Sequence, residues 1–179
     1  MTQTAQTYGE SLYELARDEQ LGGEILSQLQ KVVSILQENP QYVSLLSLPS
    51  VPKKERCDVL DESFRGQIHP YLLNFLKILT ENRTISQLSG CEEAYRRRYN
   101  EDNGILEVTA VTAFPLTDAL QEKLQARLAE LTGKTILLTN RIDSDTLAGI
   151  RLELPGKHMD GTARSRLHDL QATLRNMVI

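Results

Sequence analysis

Up to about residue 103 the apolar residues of this chain recur at alternating three- and four-residue spacing, and after Gly104 they recur at every second residue. A helix turns one face to the core every ~3.6 residues and a strand every two, so the switch requires a helical part followed by a part built on strands. The reading is an α+β chain, mostly helical: an N-terminal six-helix bundle over residues 1–104 and a small C-terminal α+β domain over residues 105–179. Breaks at Gly22-Gly23, Pro40, Pro49 to Pro52, Gly66 to Pro70 and around Asn82 leave connections of bundle length.

Ala5, Tyr8, Leu12 and Leu15 mark the core stripe of the first helix, and Ile25, Leu29, Val32 and Leu36 that of the second. Asn39-Pro40 reads as an N-cap with proline in the first helical position, opening a third helix through Leu46; Pro52 stands similarly ahead of a fourth, and His69-Pro70 opens a fifth. A sixth runs from about Thr84 to Asn103, with Gly104 as its stop. Beyond it, Leu106, Val108 and Ala110 alternate with Glu107 and Thr109 as a strand, and a helix follows from Thr117 to Leu131 with Leu120, Leu124, Leu128 and Leu131 on one face. Residues 134–142 and 147–154 read as two further strands, and a last helix starts near Gly161.

Composition removes several functions. Twenty Lys and Arg stand against 24 Asp and Glu, with 11 basic and 15 acidic residues before Gly104 and 9 of each after it, so neither part has the basic excess of a dedicated nucleic-acid binder. No apolar run approaches the ~18–20 residues of a membrane span, and the first residues lack the basic and apolar regions of a secretory signal. The 29 leucines, with no tryptophan, supply most of the core volume. Cys57 and Cys91 are too few for a disulfide scaffold, and a reduced cytoplasmic compartment is expected.

Catalytic constellations do not assemble. Gly133-Lys134-Thr135 resembles the end of a phosphate-binding loop, but Leu128 occupies the place of its first glycine and the order is helix, GKT, strand rather than strand, loop, helix. Arg96, Arg97 and Arg98 project about 100° apart around a helix, with Glu92 and Glu93 four residues before the first two, so a solvated ion-paired face is expected. His69, His158 and His168 have no metal-ligand spacing, and the loop beginning Asp143, Asp145 has Leu147 in the next ligand position of a calcium loop. Both cysteines lie in helical patterns without a nearby histidine and read as inert thiols. No catalytic residue, metal or cofactor is expected.

The fifth helix is the informative segment. Leu72, Leu76 and Leu79 suffice to seat it on a core, yet Tyr71, Phe75 and Ile78 form a second apolar stripe. Such a helix is either central and buried or presents a groove to an amphipathic helix of another protein, and the residues leave both open. A generic helical adaptor with an α+β tail that binds RNA or protein is an alternative for the whole chain, although its strands offer no stacking aromatic pair.

Along nearly its full length the chain resembles the delta subunit of F-type ATP synthase, similar to the mitochondrial oligomycin-sensitivity-conferring protein. Tyr8-Gly9-Glu10-Ser11-Leu12-Tyr13-Glu14-Leu15-Ala16 resembles the family's opening YAxALfxlA, and Asn74 to Asn82 its NFLxLLxEN. Val111 to Leu116 resembles VtsAxpL, and Leu131 to Lys134 the xtGk before a strand. Asp143 with Leu147 to Ile150, then Asp160 to Leu167, resemble DxxLiGGixv and iDgSvrxrL, with Thr146, Ala148, Gly9 and Thr162 as departures.

The resemblance implies a non-catalytic stator subunit in the peripheral stalk of a proton-translocating ATP synthase. By it, an alpha-subunit N-terminal helix binds between the first and fifth helices, at Tyr8, Ser11, Leu12, Asn74, Phe75 and Ile78. By it the C-terminal domain receives the C-terminal region of the b subunits, with the motif and last-helix residues Gly149, Asp160, Gly161, Leu167, Leu170 and Leu174 as candidates, although packing on its own sheet is the expected use of most of the last helix's apolar stripe. It implies no cofactor, one copy per hetero-oligomeric complex, and peripheral attachment through partner subunits. The lack of an Arg-rich transit segment favours a bacterial chain, and the cytoplasmic face of the cell membrane is its expected place.

Overall fold

The computed structural model describes residues 2–143 and 150–154. The chain is mostly helical with one small sheet and divides into two compact units, Met1–Tyr99 and Asn100–Ile179. The helix expected from about Gly161, and residues 147–149 of the last expected strand, lie outside the described residues.

The first unit begins with α1 (Gln3–Asp18), α2 (Gly22–Glu38), α3 (Pro40–Ser47), α4 (Lys53–Phe64) and α5 (Pro70–Glu81). A 3-10 turn over Ile85–Gln87 then leads into α6 (Leu88–Asp102), where one continuous helix from Thr84 was expected. The reason lies in how α5 ends. Arg83 adopts a left-handed φ of 58°, Thr84 N–H bonds back to the Leu79 carbonyl at 2.8 Å, and Gln87 N–H bonds to the Thr84 carbonyl at 2.8 Å. The chain therefore re-enters helix through three-residue bonds.

Helix α2 buries Ile25, Leu29, Val32 and Leu36, as their spacing predicts. Helix α1 buries Ala5, Gly9, Leu12, Tyr13 and Ala16, a stripe that drifts around the axis and leaves Leu15 exposed although it was expected in the core. Asn39 stands at the N-cap of α3 ahead of Pro40 as anticipated, but its side chain makes no capping bond there; its Nδ2 donates to the Ile35 carbonyl at 2.8 Å and closes the end of α2. At α5 the cap is a side chain, with His69 Nδ1 accepting the Tyr71 N–H at 3.3 Å ahead of the first-turn Pro70.

Helices α1 and α6 approach closely. At Gly9 a Cβ would lie 2.2 Å from the Cys91 carbonyl oxygen and 2.8 Å from the Ala94 Cβ, so glycine's bare backbone is what lets the helices meet. One turn on, Tyr13 packs edge-on against Tyr95 and Tyr99, with ring centroids 5.3 and 6.3 Å away. Tyr95 Oη donates to the Gly22 carbonyl at 2.9 Å, tying α6 to the start of α2. Arg96 pairs with Glu92 along α6 at 3.0 Å, as the spacing suggests, whereas Arg97 crosses to Glu10 of α1 at 3.0 Å and belongs to the contact rather than to a purely solvated face.

The second unit holds β1 (Ile105–Thr112), α7 (Asp118–Thr132), β2 (Thr135–Ile142) and β3 (Ile150–Glu153), in sheet order β2-β1-β3. β1 is parallel to β2 and antiparallel to β3. Val108, Ala110, Ile136 and Leu152 pack with Leu124 and Leu128 of α7, while Leu120, expected on that face, is exposed in its first turn. Gly133 ends α7 at a φ of 68° and Thr135 opens β2, so the GKT segment is a helix stop followed by a strand. Asn140 fixes the loop after β1: its Nδ2 donates to the Ala110 carbonyl and to Thr112 Oγ1 at 2.9 and 2.8 Å, and its Oδ1 accepts the Leu116 N–H at 2.9 Å.

Gly9→Ala separates packing from propensity. Alanine favours a helix interior by about 1 kcal/mol over glycine, but forcing a methyl against a backbone carbonyl costs roughly 1–3 kcal/mol or more. The expected result is a net loss of about 2 kcal/mol, on the order of 10 °C in the melting temperature, read by thermal circular dichroism. A raised melting temperature would mean that α1 and α6 do not approach this closely.

Candidate functional site

Helix α5 distributes its apolar surplus unequally. Leu72, Leu76 and Leu79 are fully buried, and Leu73 joins them as a buried residue beyond the two stripes read from sequence. Of the second stripe, Tyr71 is half-buried, Phe75 is buried at 6% exposure and Ile78 is 45% exposed. Phe75 meets Tyr8 of α1 edge-on with ring centroids 6.4 Å apart. Asn82, just beyond α5, donates from Nδ2 to Tyr8 Oη at 3.1 Å, a second link between these helices.

The six residues expected to form a helix-binding surface therefore fall into three kinds. Leu12 and Phe75 are buried in the core of the first unit. Tyr8 is half-buried and satisfied at its hydroxyl, while Ser11, Asn74 and Ile78 are exposed. Phe75 and Tyr8 are in contact, which joins the two helices at the centre of this set. Asn82 was legible only as part of a motif; its bond to Tyr8 spans 74 residues and no local pattern announces it. Gly149, Asp160, Gly161, Leu167, Leu170 and Leu174 lie outside the described residues.

A polar seam with α4 holds α5 as well. Lys77 Nζ lies 2.7 Å from Asp61 Oδ1, Arg65 Nη2 lies 2.9 Å from Asp61 Oδ2, and Lys53 Nζ lies 2.9 Å from Glu81 Oε2. The hydrogen bond from Lys77, assisted by the charge of Arg65, holds the Asp61 carboxyl below its usual 3.8. Inside the seam, Arg56 is 4% exposed, and its Nη1 donates to the Leu46 and Thr80 carbonyls, each at 2.9 Å.

Both cysteine thiols are held toward their protonated form. Burial pushes the Cys91 thiol up to about 11, and burial, followed by the charge of Glu81, raises that of Cys57. Cys57 is half-buried and Cys91 fully buried. Among the described residues, no cluster of three or more His, Cys, Asp and Glu is placed to hold a metal ion, and no helix is long and apolar enough to cross a membrane. A cleft of about 690 Å³ between α2, α3 and α4, lined by Ile35, Tyr42, Leu45, Phe64 and Gln67 among others, was not anticipated from sequence. Burial, only partly offset by its bond to Ser63, raises the pKa of the Tyr42 hydroxyl there, leaving a neutral hydrogen-bonding group. β1, β2 and β3 carry no aromatic residue, so their faces offer no base-stacking platform.

Comparison with known proteins agrees over nearly the whole chain. The family model described as "ATP synthase delta (OSCP) subunit" matches residues 4–174. ATP synthase subunit delta of Lactobacillus gasseri is 32% identical over 95% of this chain and 93% of the relative. That of Desulfitobacterium hafniense is 28% identical over 95% of each. A chain in the structure of the Toxoplasma gondii mitochondrial ATP synthase hexamer has the same fold, with a TM-score of 0.67 at 20% identity, covering 97% of this chain and 98% of that one.

The depressed Asp61 carboxyl carries a pH signature. A carboxyl whose folded pKa lies below its unfolded value adds stability that is fully present above the unfolded value and lost as pH falls through the folded one. Asp61→Asn is therefore expected to be less stable than the parent chain at pH 7, with the difference closing as pH drops below about 4. Urea unfolding at both pH values reads this; a difference independent of pH would exclude the seam as its source.

Proposed function

This chain belongs to the ATP synthase delta (OSCP) subunit family, and we propose from that membership that it ties the catalytic head of the enzyme to its stator through two separate surfaces. It is a peripheral-stalk subunit of an ATP synthase. In this reading the N-terminal six-helix bundle, residues 1–104, receives the N-terminal helix of an alpha subunit along α1 and α5. Tyr8, Ser11, Asn74 and Ile78 meet that helix, and the buried Leu12 and Phe75 support the surface from beneath. The C-terminal domain, residues 105–179, takes the C-terminal region of the b subunits. The subunit performs no chemistry, uses no cofactor or metal, and sits at the cytoplasmic face of a bacterial membrane through its partners.

The observation that carries the reading is the exposure of Ile78 beside the Tyr8–Phe75 contact. A β-branched aliphatic side chain left in water on an otherwise core-forming helix gains by being covered, and a partner's apolar stripe is what fits along a helix pair. The function is mechanical. Rotation of the central shaft applies torque to the head, and a head free to turn with the shaft would uncouple proton flow from ATP synthesis. Two attachments on one chain turn two moderate contacts into a durable link, because once one is made the other occurs at high effective concentration.

Ile78→Asp tests the surface at an exposed position, where the fold tolerates the change. The expected result is native circular dichroism and at least about tenfold weaker binding of a synthetic alpha-subunit N-terminal peptide, since a carboxylate desolvated without a partner opposes docking by 1 kcal/mol or more. Calorimetry showing unchanged affinity would remove the docking surface from α5.

A further inference from the structure

We propose that Arg56 is a positioning residue for the α1–α5 surface: its buried guanidinium fixes the C-terminal end of α5 and thereby the place of Ile78. The proposal rests on the reading that a partner helix docks along α1 and α5. Arg56 is 4% exposed, and its Nη1 partners are carbonyl oxygens rather than carboxylates. Leu46 lies in the last turn of α3 and Thr80 in the last turn of α5. A helix C-terminus carries roughly half a negative charge on its unsatisfied carbonyls, so two of them together balance about one cation. Arg56 thus joins the ends of α3 and α5 from within α4, and neither helix carries a basic residue in its own last turn.

Its position relative to the docking surface is what gives this a consequence. Thr80 lies two residues beyond Ile78, and its carbonyl also accepts the Arg83 N–H at 3.2 Å in the turn that ends α5. Asn82, which bonds Tyr8 of α1, stands in that same turn. Loss of the cation would take from the Leu46 carbonyl its bond to Arg56 and leave the Thr80 carbonyl only the backbone N–H groups of the turn after it, and the end of α5, with Ile78 in its last turn and Asn82 just beyond, is the part free to shift toward water. Both bonds come from one terminal nitrogen, and Arg56 Nε has no partner among the described residues. A lysine ammonium reaching the same point can therefore replace the guanidinium, whereas a methionine of similar length cannot.

The test compares the full chain with R56K and R56M, reading peptide affinity by calorimetry at 20 °C and amide exchange over residues 76–84 and over α1. Expected are R56K affinity within about threefold of the parent, and R56M helical but about tenfold weaker with exchange accelerated over 76–84. R56M that binds and exchanges like the parent overturns the proposal, as does R56K that fails as R56M does. Should R56M be unfolded at 20 °C, R56K decides alone: parent-like exchange over 76–84 supports the assignment and accelerated exchange contradicts it. A parent chain that binds no peptide marks failure of the docking reading, and the exchange comparison still decides what Arg56 holds.

Discussion

Helix α5 carries more apolar surface than one packing face can take up, and the arrangement of the helical unit follows from how that surplus is covered. Leu72, Leu76 and Leu79 require a core on one side, Leu73 and Phe75 extend it around the axis, and the other helices must close around this centre. Burial on this scale is the main favourable term in folding, at about 25 cal/mol for each Å² of apolar surface removed from water. The covering stops at Ile78. There the fold's own demand on the helix ends.

Two kinds of contact place α5 on its two flanks. Toward α4 they are polar and charged: Lys77 to Asp61, Lys53 to Glu81, and the buried Arg56 to the Thr80 carbonyl. Toward α1 they are an aromatic edge, Tyr8 on Phe75, and one amide bond, Asn82 to Tyr8. Helix α1 is fixed in turn by α6, because Gly9 lets the two backbones approach where any Cβ would collide with the Cys91 carbonyl. The glycine that looks like a departure from the family's opening motif is therefore the condition for the α1–α6 contact. Side chains on α1 and α5 are held in this way from behind, as any precise binding surface requires.

Local chemistry made much of this legible in the sequence. The stripe from Ile25 to Leu36, the prolines opening α3 and α5, Gly133 as a helix stop and the alternation in β1 depend on periods and on φ, which neighbours in sequence dictate. What failed depends on partners far away in the chain. Leu15 and Leu120 fit their helical periods yet stay exposed, because a period marks a face and not what is packed over it. Asn39 has the right type and place for an N-cap but spends its amide on α2. Phe75 was legible as apolar, but its burial against Tyr8 was not, so the six expected residues divide into buried and exposed ones. Arg56 in sequence is one more charge on a polar helix, and nothing local marks it as buried.

The central claim is that one continuous surface of α1 and α5 receives an alpha-subunit N-terminal helix. The most direct measurement is an NMR titration of the isotopically labelled chain with that peptide. The account predicts shift changes concentrated at Tyr8, Ser11, Asn74, Ile78 and Asn82, with smaller changes at the buried Leu12 and Phe75. Changes centred instead on Ile35, Tyr42 and Leu45 in the α2–α3–α4 cleft, or none at saturating peptide, would contradict it.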